Sequence, residues 1–131
     1  MLEAAVGNIP IVTEFVDKQL EQCECPVKVL RQINIAIDEI FGNIAHYAYQ
    51  PETGPVTVRV EVVKEPLSVI ITFKDKGIPY DPLQAAEPDI SLSAEERQPG
   101  GLGIFLVKKS MDEVVYAYRD GKNILKLKKN L

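Results

Sequence analysis

Apolar residues recur along the chain with two different periods, and these periods predict its elements. Asn8 is a favourable N-cap and Pro10 falls in the first turn after it, so a helix is predicted to run to about Glu21. A second and longer helix is predicted from about Pro26 to Ala48. It ends there because the segment 50–55 contains two prolines and a glycine that break the helical period.

The sequence after the long helix predicts four strands in two pairs, the first of them from alternation of apolar and polar residues. The first pair covers Val56 to Val62 and Leu67 to Phe73, and the short connection between them is typical of an antiparallel hairpin. The second pair covers 114–118 and 123–127 and is joined at Asp120-Gly121, a strong hairpin signal.

The stretch from Asp75 to about Pro99 has neither period, holds four prolines and is rich in acidic residues. A loop of this length inside a compact domain is usually functional or mobile. A short apolar helix is predicted after it, from Leu102 to Met111. The order helix, helix, strand, strand, loop, helix, strand, strand predicts an α+β two-layer sandwich, with helices covering one face of a mostly antiparallel sheet.

Length and charge narrow the classes of protein to be considered. With 131 residues the chain is long enough for one domain with a real core, and its net charge of -4 does not favour nucleic acid as a partner. No apolar run approaches the ~20 residues of a membrane span. No basic region precedes an apolar stretch in Met1–Pro10, so we expect a cytoplasmic protein without a signal peptide. The lysine-rich end, 122–129, is predicted to be a solvated edge strand, because edge lysines discourage unwanted pairing.

Cys23 and Cys25 are the only cysteines and are separated by one residue. This spacing makes a poor disulfide, and the only histidine, His46, cannot complete a zinc site nearby in the sequence. We therefore expect both thiols to be reduced and structural.

The long helix carries two distinct stripes. One stripe is apolar and is predicted to face the core; it consists of Ile33, Ile37, Ile40 and Ile44. The other contains Glu39, Asn43 and His46, about 130° away, and Gly42 beside it leaves room for a ligand. Glu39 is a candidate general base, and Asn43 offers a neutral oxygen to Mg²⁺. His46 is a weaker candidate for the phosphates or the water shell of the metal. An ordinary polar pair on a helix surface explains the same pattern.

Asp75 and Gly77 bracket a turn directly after an apolar strand. Asp and Gly suit a plain turn. The functional alternative is that the carboxylate accepts a hydrogen bond from an adenine amino group, while Gly77 lets the base approach closely.

A glycine run opens the third predicted helix, and backbone N–H groups at such a start favour phosphate. The run consists of Gly100, Gly101, Leu102 and Gly103. A flexible hinge is the alternative reading of this run. Arg97, which lies just before it, could reach a phosphate, although a solvated charge explains that residue equally well.

Together these three segments resemble the N-box, G1-box and G2-box of the GHKL ATPases. The chain looks most like the small anti-sigma regulatory factors that are also serine protein kinases. The resemblance rests on Glu39-x-x-x-Asn43 followed by 46–49, on 75–82, on 97–104 and on 111–114. It implies a Bergerat-type sandwich that binds ATP and Mg²⁺ beneath a lid at 82–100, within a single domain spanning 1–131. The adenine-side hydroxyl that the family places on its last strand is not evident in 124–127.

The same resemblance implies roles and partners. Glu39 would be the base that activates a serine of a STAS-type anti-anti-sigma protein, and a sigma factor would be the other partner of a homodimer. Asn43 would hold the metal. The nucleotide contacts would come from Asn43, His46, Asp75, Gly77, Arg97 and the run Gly100 to Gly103. The alternative is a non-catalytic nucleotide-binding regulator that sequesters a sigma factor or another partner. A detached histidine-kinase domain is disfavoured, because it would need a separate phosphoacceptor domain.

Overall fold

A computed structural model of the protein describes residues 1–23, 25–49, 53–64, 67–79, 81 and 101–131. The strands are β1 (Leu2–Glu3), β2 (Pro55–Val63), β3 (Ser68–Asp75), β4 (Glu113–Arg119) and β5 (Lys122–Asn130). The α-helices are α1 (Ile9–Glu21), α2 (Val27–Asn43) and α3 (Gly101–Ser110), with a 3-10 turn at Val6–Asn8 and a π-helical turn at Ile44–Ala48. The predicted helices and both predicted hairpins are therefore confirmed, with β1 and the π-helical turn as additions.

The five strands form one sheet in the order β1-β2-β3-β5-β4, and every neighbouring pair is antiparallel. The prediction that the lysine-rich end is an edge strand is wrong, because β5 lies between β3 and β4. Leu125 and Leu127 of β5 belong to the core, so the lysines at alternate positions lie on the face that the helices leave uncovered. These outward lysines are Lys122, Lys126 and Lys128.

The hairpin that joins β4 to β5 turns at the predicted dipeptide. Asp120 has a φ of 53° and Gly121 a φ of 74°, as a two-residue turn with both central residues in the left-handed region requires. The turn sets the register of β5 and so fixes which of its residues face the helices.

The start of α1 differs from the prediction in its hydrogen bonding. Asn8 precedes the helix and Pro10 lies in its first turn, but the Asn8 side chain makes no capping bond. Its backbone already has helical angles after the 3-10 turn, whereas a capping side chain needs an extended residue. The Nδ2 of Asn8 instead donates to the carbonyl of Glu3 at 2.9 Å and ties α1 to β1.

The core lies between the three helices and one face of the sheet. The predicted apolar stripe of α2 faces it: Ile33, Ile37 and Ile40 are buried, and Ile44 packs at its margin. Phe73 of β3 is buried opposite them. The architecture is the predicted α+β two-layer sandwich.

Cys23 and Cys25 are free and partly buried, as predicted for reduced thiols. The Sγ atoms approach backbone carbonyls, Cys23 that of Gln19 at 3.7 Å and Cys25 that of Pro26 at 3.6 Å. Burial, with smaller contributions from Cys23 and Asp17, raises the pKa of the Cys25 thiol. Within the described ranges, no helix has the length and apolar character needed to cross a membrane.

Candidate functional site

Three segments that are distant in sequence meet beside a cleft at one end of the sheet. They are the end of α2 with its π-helical turn, the end of β3 and the start of β5. The cleft is narrow, with about 40 Å³ open to the centre of a water-sized sphere. Its walls are mostly apolar and carry few polar groups, as is usual for small-molecule sites. It is lined by Ile40, Asn43, Ile44, Tyr47, Ala48, Phe73, Asp75, Ile78, Tyr116, Asn123 and Leu125.

Asp75 is the buried carboxylate of this cleft. It ends β3, inside the sheet, and is 5% exposed. Its Oδ1 accepts hydrogen bonds from the backbone N–H of Gly77 at 2.9 Å and from the Nδ2 of Asn123 at 3.0 Å. Both bonds that described residues donate to Asp75 fall on this one oxygen, so the carboxylate is held in a fixed orientation.

Asn123 is a site residue that the sequence reasoning missed. It lies opposite Asp75 in the β3–β5 register, is 6% exposed, and donates to the carbonyl of Ile78 at 2.8 Å. Its Oδ1 accepts a short hydrogen bond from the hydroxyl of Tyr116. A usable signal was present: Asn123 shares the inward alternation of Leu125 and Leu127, and a polar residue at a core position needs partners.

The turn after β3 packs directly against the end of the long helix. The N–H of Ile78 donates to the carbonyl of Ala48 at 3.0 Å. A Cβ at Gly77 would lie 2.2 Å from that same carbonyl oxygen. The described contacts therefore explain Gly77 by the approach of protein backbone, whereas the predicted reason was the approach of a base. A contact between Gly77 and a nucleotide stays a prediction.

Tyr49 fastens this junction from the other side. Its hydroxyl accepts a hydrogen bond from the N–H of Lys76 at 2.7 Å and donates one to the carbonyl of Pro55 at 2.5 Å. The ring occupies the space that a Cβ on Gly54 would need. The π-helical turn before Tyr49 is a form that often occurs at functional sites. One side chain thus links the end of the helix, the start of β2 and the turn after β3.

Glu39 and Asn43 lie one turn apart near the end of α2. Asn43 lines the cleft, and Glu39 is half-buried one turn earlier. Burial raises the pKa of the Glu39 carboxyl above its ordinary value, and a hydrogen bond with the Asn43 side chain partly opposes this. No described atom lies within 4 Å of a Cβ placed on Gly42, which agrees with open space beside this stripe. A carboxyl with a raised pKa one helical turn from a cleft-lining residue is a candidate acid–base group.

His46 is exposed, and its ring centre lies 6.2 Å from that of Tyr47. Tyr47 is the residue of this pair that lines the cleft. The structure therefore brings together Asn43 and Asp75 but leaves His46 at the surface. A role for His46 near phosphates stays a prediction.

The glycine run opens α3, because Gly101 is the first residue of that helix and Leu102 and Gly103 follow in its first turn. Backbone N–H groups at a helix start have no partner inside the helix and favour anions. Arg97, Gly100 and the predicted lid at 82–100 lie outside the described residues.

A family model described as the histidine kinase-like ATPase domain matches residues 2–129. The chain belongs to this family. Solved structures of similar fold include the histidine kinase domain of a blue-light activated histidine kinase from Erythrobacter litoralis. It superposes with a TM-score of 0.59 and 20% identity over 81% of this chain and 46% of that one. The histidine kinase AdeS of Acinetobacter baumannii superposes with a TM-score of 0.51 and 21% identity, over 77% of this chain and 46% of that one. Both confirm the predicted sandwich.

Two relatives are named as serine kinases. The serine/threonine-protein kinase BtrW of Bordetella bronchiseptica is 33% identical over 95 residues, which are 72% of this chain and 66% of the relative. The serine-protein kinase RsbW of Bacillus cereus is 25% identical over 103 residues, which are 76% of this chain and 63% of the relative. The matches thus span just under two thirds of the length of these relatives. Both relatives agree with the resemblance to the small anti-sigma kinases.

The residues of this member of the histidine kinase-like ATPase domain family fit an adenine nucleotide. Asp75 offers a fixed charged acceptor inside an apolar-walled cleft, which suits a flat base that carries an amino group. Asn43 offers an oxygen on the same cleft. The described residues contain no cluster of three acidic, histidine or cysteine side chains for a metal. A few protein oxygens suffice for Mg²⁺ when substrate phosphates and water complete its shell.

Proposed function

We propose that the protein is an ATP-dependent serine/threonine protein kinase that acts as an anti-sigma factor in a partner-switching circuit. Its substrate would be a serine of a STAS-type anti-anti-sigma protein. The observation that carries the proposal is Glu39, a half-buried carboxyl with a raised pKa one helical turn from Asn43. A protein that only held nucleotide would have no use for such a base. The names of the kinase relatives support the same class of reaction.

Each part of the cleft has a role in this proposal. Asp75 accepts a hydrogen bond from the adenine amino group, and Asn43 gives its oxygen to Mg²⁺. The phosphates would be held by the start of α3 with Gly100 to Gly103, by Arg97 and by His46, beneath a lid at 82–100. ATP supplies the γ-phosphoryl group that is transferred.

Glu39 acts on the hydroxyl of the partner's serine. As the serine oxygen bonds to the γ-phosphorus and the bond to the β-phosphate oxygen breaks, the hydroxyl proton passes to the Glu39 carboxylate and ADP leaves. A carboxylate whose pKa is raised toward the working pH is a more effective base than an ordinary one.

The proposed kinase activity also implies an assembly and a set of partners. We propose a single domain spanning 1–131 that functions in the cytoplasm as a homodimer. Its two alternating partners would be the sigma factor and the STAS protein, and phosphorylation of the STAS protein would return the kinase to the sigma factor.

The test is transfer of label from γ-³²P-ATP with Mg²⁺ to a STAS protein encoded beside this gene. We expect transfer by the unaltered protein and a loss of about 10²- to 10⁴-fold in Glu39→Gln. Asp38→Asn is the matched control, since it removes the neighbouring exposed carboxyl of the same helix and should leave the rate unchanged. Tight partner binding without transfer under any condition would refute the kinase and favour the non-catalytic regulator.

A further inference from the structure

We propose that Asn123 and Tyr116 position the Asp75 carboxylate and thereby set the selectivity of the cleft for the amino group of adenine. The inference rests on the proposed nucleotide binding but concerns residues that have no part in the transfer step. Neither touches Glu39 in the described contacts. Asn123 and Tyr116 both line the cleft together with Asp75.

The hydrogen bonds of Asn123 admit one orientation of its amide. Nδ2 donates to the Oδ1 of Asp75 at 3.0 Å and to the carbonyl of Ile78 at 2.8 Å, both of which are pure acceptors. If the amide oxygen and nitrogen were exchanged, the amide oxygen would face two acceptor oxygens, Oδ1 of Asp75 and the carbonyl oxygen of Ile78. The Tyr116 hydroxyl, which donates to Oδ1 of Asn123, fixes the same orientation from the opposite side.

This orientation decides which oxygen of Asp75 is available. Oδ1 already accepts from Asn123 and from the N–H of Gly77. Oδ2 is therefore the oxygen that the described network leaves for a ligand. Because Asn123 also holds the Ile78 carbonyl, it fixes the carboxylate relative to the turn that forms one wall of the cleft. An acceptor held in place before binding loses no free energy to reorganisation when the ligand arrives.

Asn123 and Tyr116 are hydrogen-bonded to each other, so a substitution at one removes a partner of the other. Asn123 begins the inward alternation of β5, and Tyr116 lies on β4, the neighbouring strand. Removing the Tyr116 hydroxyl would take away the hydrogen bond that Oδ1 of Asn123 accepts and so weaken the hold on its amide. Removing the Asn123 amide would leave the Ile78 carbonyl and the Tyr116 hydroxyl without this partner, and of the two described bonds to Oδ1 of Asp75 only that from the N–H of Gly77 would remain.

The experiment compares the affinities for ATP and for purine riboside triphosphate, which lacks the 6-amino group. Their ratio isolates the contact with that amino group. We expect the unaltered protein to prefer ATP, and Asn123→Ala to reduce this preference about tenfold, the usual weight of one hydrogen bond to a charged group. Tyr116→Phe should reduce it less, in the same direction. Tyr118→Phe, the same change at a 45% exposed tyrosine on the same strand, should leave the ratio unchanged.

The affinity ratio separates positioning from simple support of the fold. If Asn123 and Tyr116 were only structural, both affinities would fall in parallel and the ratio would hold, which would overturn the inference. Tyr116→Phe removes a single oxygen and decides the matter even if Asn123→Ala does not fold. An unaltered protein without preference for ATP would also overturn it.

The inference and the proposed kinase can fail separately. A fall in the ratio in a protein that transfers no label would refute the kinase and leave the positioning pair intact. Normal transfer with an unchanged ratio in both variants would refute the positioning pair alone.

Discussion

At the scale of single residues, the raised pKa of one carboxyl would favour its use as a base but lowers the stability of the fold. Glu39 is half-buried, which raises its pKa, and the Asn43 side chain only partly restores the charged form. For a base this is useful, because the proton it takes is held more firmly at the working pH. For the folded protein it is a cost, because the ionised carboxylate is less well solvated than in the unfolded chain.

That cost predicts an unusual pH dependence for Glu39→Gln. The folded protein has the higher pKa at this carboxyl, so it binds the proton more tightly, and stability falls as pH rises from the ordinary carboxyl pKa through the raised one. The amide carries no charge and escapes this loss. We therefore expect Glu39→Gln to have a higher Tm than the unaltered protein at neutral pH, with a difference that shrinks as pH falls through that window.

Thermal unfolding across this pH range measures the effect. Asp38→Asn, on the exposed side of α2, provides the control for the loss of one negative charge from this helix. A lower Tm for Glu39→Gln at neutral pH would mean that the charged form stabilises the fold, against the burial argued for it.

Single residues of the site differ in how far the sequence predicts them. Glu39 and Asn43 were predicted because a helical period places both off the isoleucine stripe. Asn123 was missed because its partner Asp75 lies 48 residues away, and only the register of β3 with β5 brings them together. The inward alternation of β5 could mark Asn123 as a polar residue that needs partners, but it could not identify Asp75 as the partner.

At the scale of elements, periodicity predicted the helices and hairpins but not the order of the strands. The position of β5 between β3 and β4 depends on pairing across the long segment that precedes α3, and no local pattern encodes it. That pairing makes the site: it sets the start of β5 beside the end of β3. The second junction, between the π-helical turn and the turn after β3, was equally invisible, because it depends on a backbone contact of Gly77 with Ala48.

This junction predicts opposite effects for two glycine-to-alanine changes. In Gly77→Ala the new Cβ would lie 2.2 Å from the Ala48 oxygen, so the turn and the helix end must move apart. Overpacking of this kind costs about 1–3 kcal/mol, and the displaced turn should also weaken ATP binding. In Gly42→Ala the Cβ meets no described atom, and alanine in a helix gains about 0.5–1 kcal/mol over glycine.

Denaturant unfolding of the two variants measures both changes, and each serves as the control of the other. Equal stability for Gly77→Ala and the unaltered protein would show that the turn is free to shift away from Ala48 at no cost. A stabilised Gly42→Ala that binds ATP poorly would indicate that the space beside Gly42 belongs to the ligand, as the stripe on α2 predicts.

At the scale of the whole molecule, one helix serves both the core and the site. The isoleucines of α2 are buried against the sheet, while Asn43 on its other flank lines the cleft with Asp75 of β3 and Asn123 of β5. A ligand in the cleft would therefore touch elements that only the folded chain brings together. Binding should appear as stability of the entire domain, since the unfolded chain has no such site.

The magnitude of that stabilisation gives a test of the metal ligand. With ATP and Mg²⁺ at a hundred times the Kd, the fold should gain about 2.7 kcal/mol. For a chain of 131 residues this corresponds to a rise in Tm of roughly 10 °C. We expect Asn43→Ala to lose the part of this rise that a chelator removes from the unaltered protein, because ATP then binds through Asp75 without help from the metal. Asn130→Ala, at an exposed position late in β5, should keep the full rise. If the unaltered protein showed the same rise with Mg²⁺ and with chelator, Asn43 would not be a metal ligand, and its place beside Glu39 would serve the base alone.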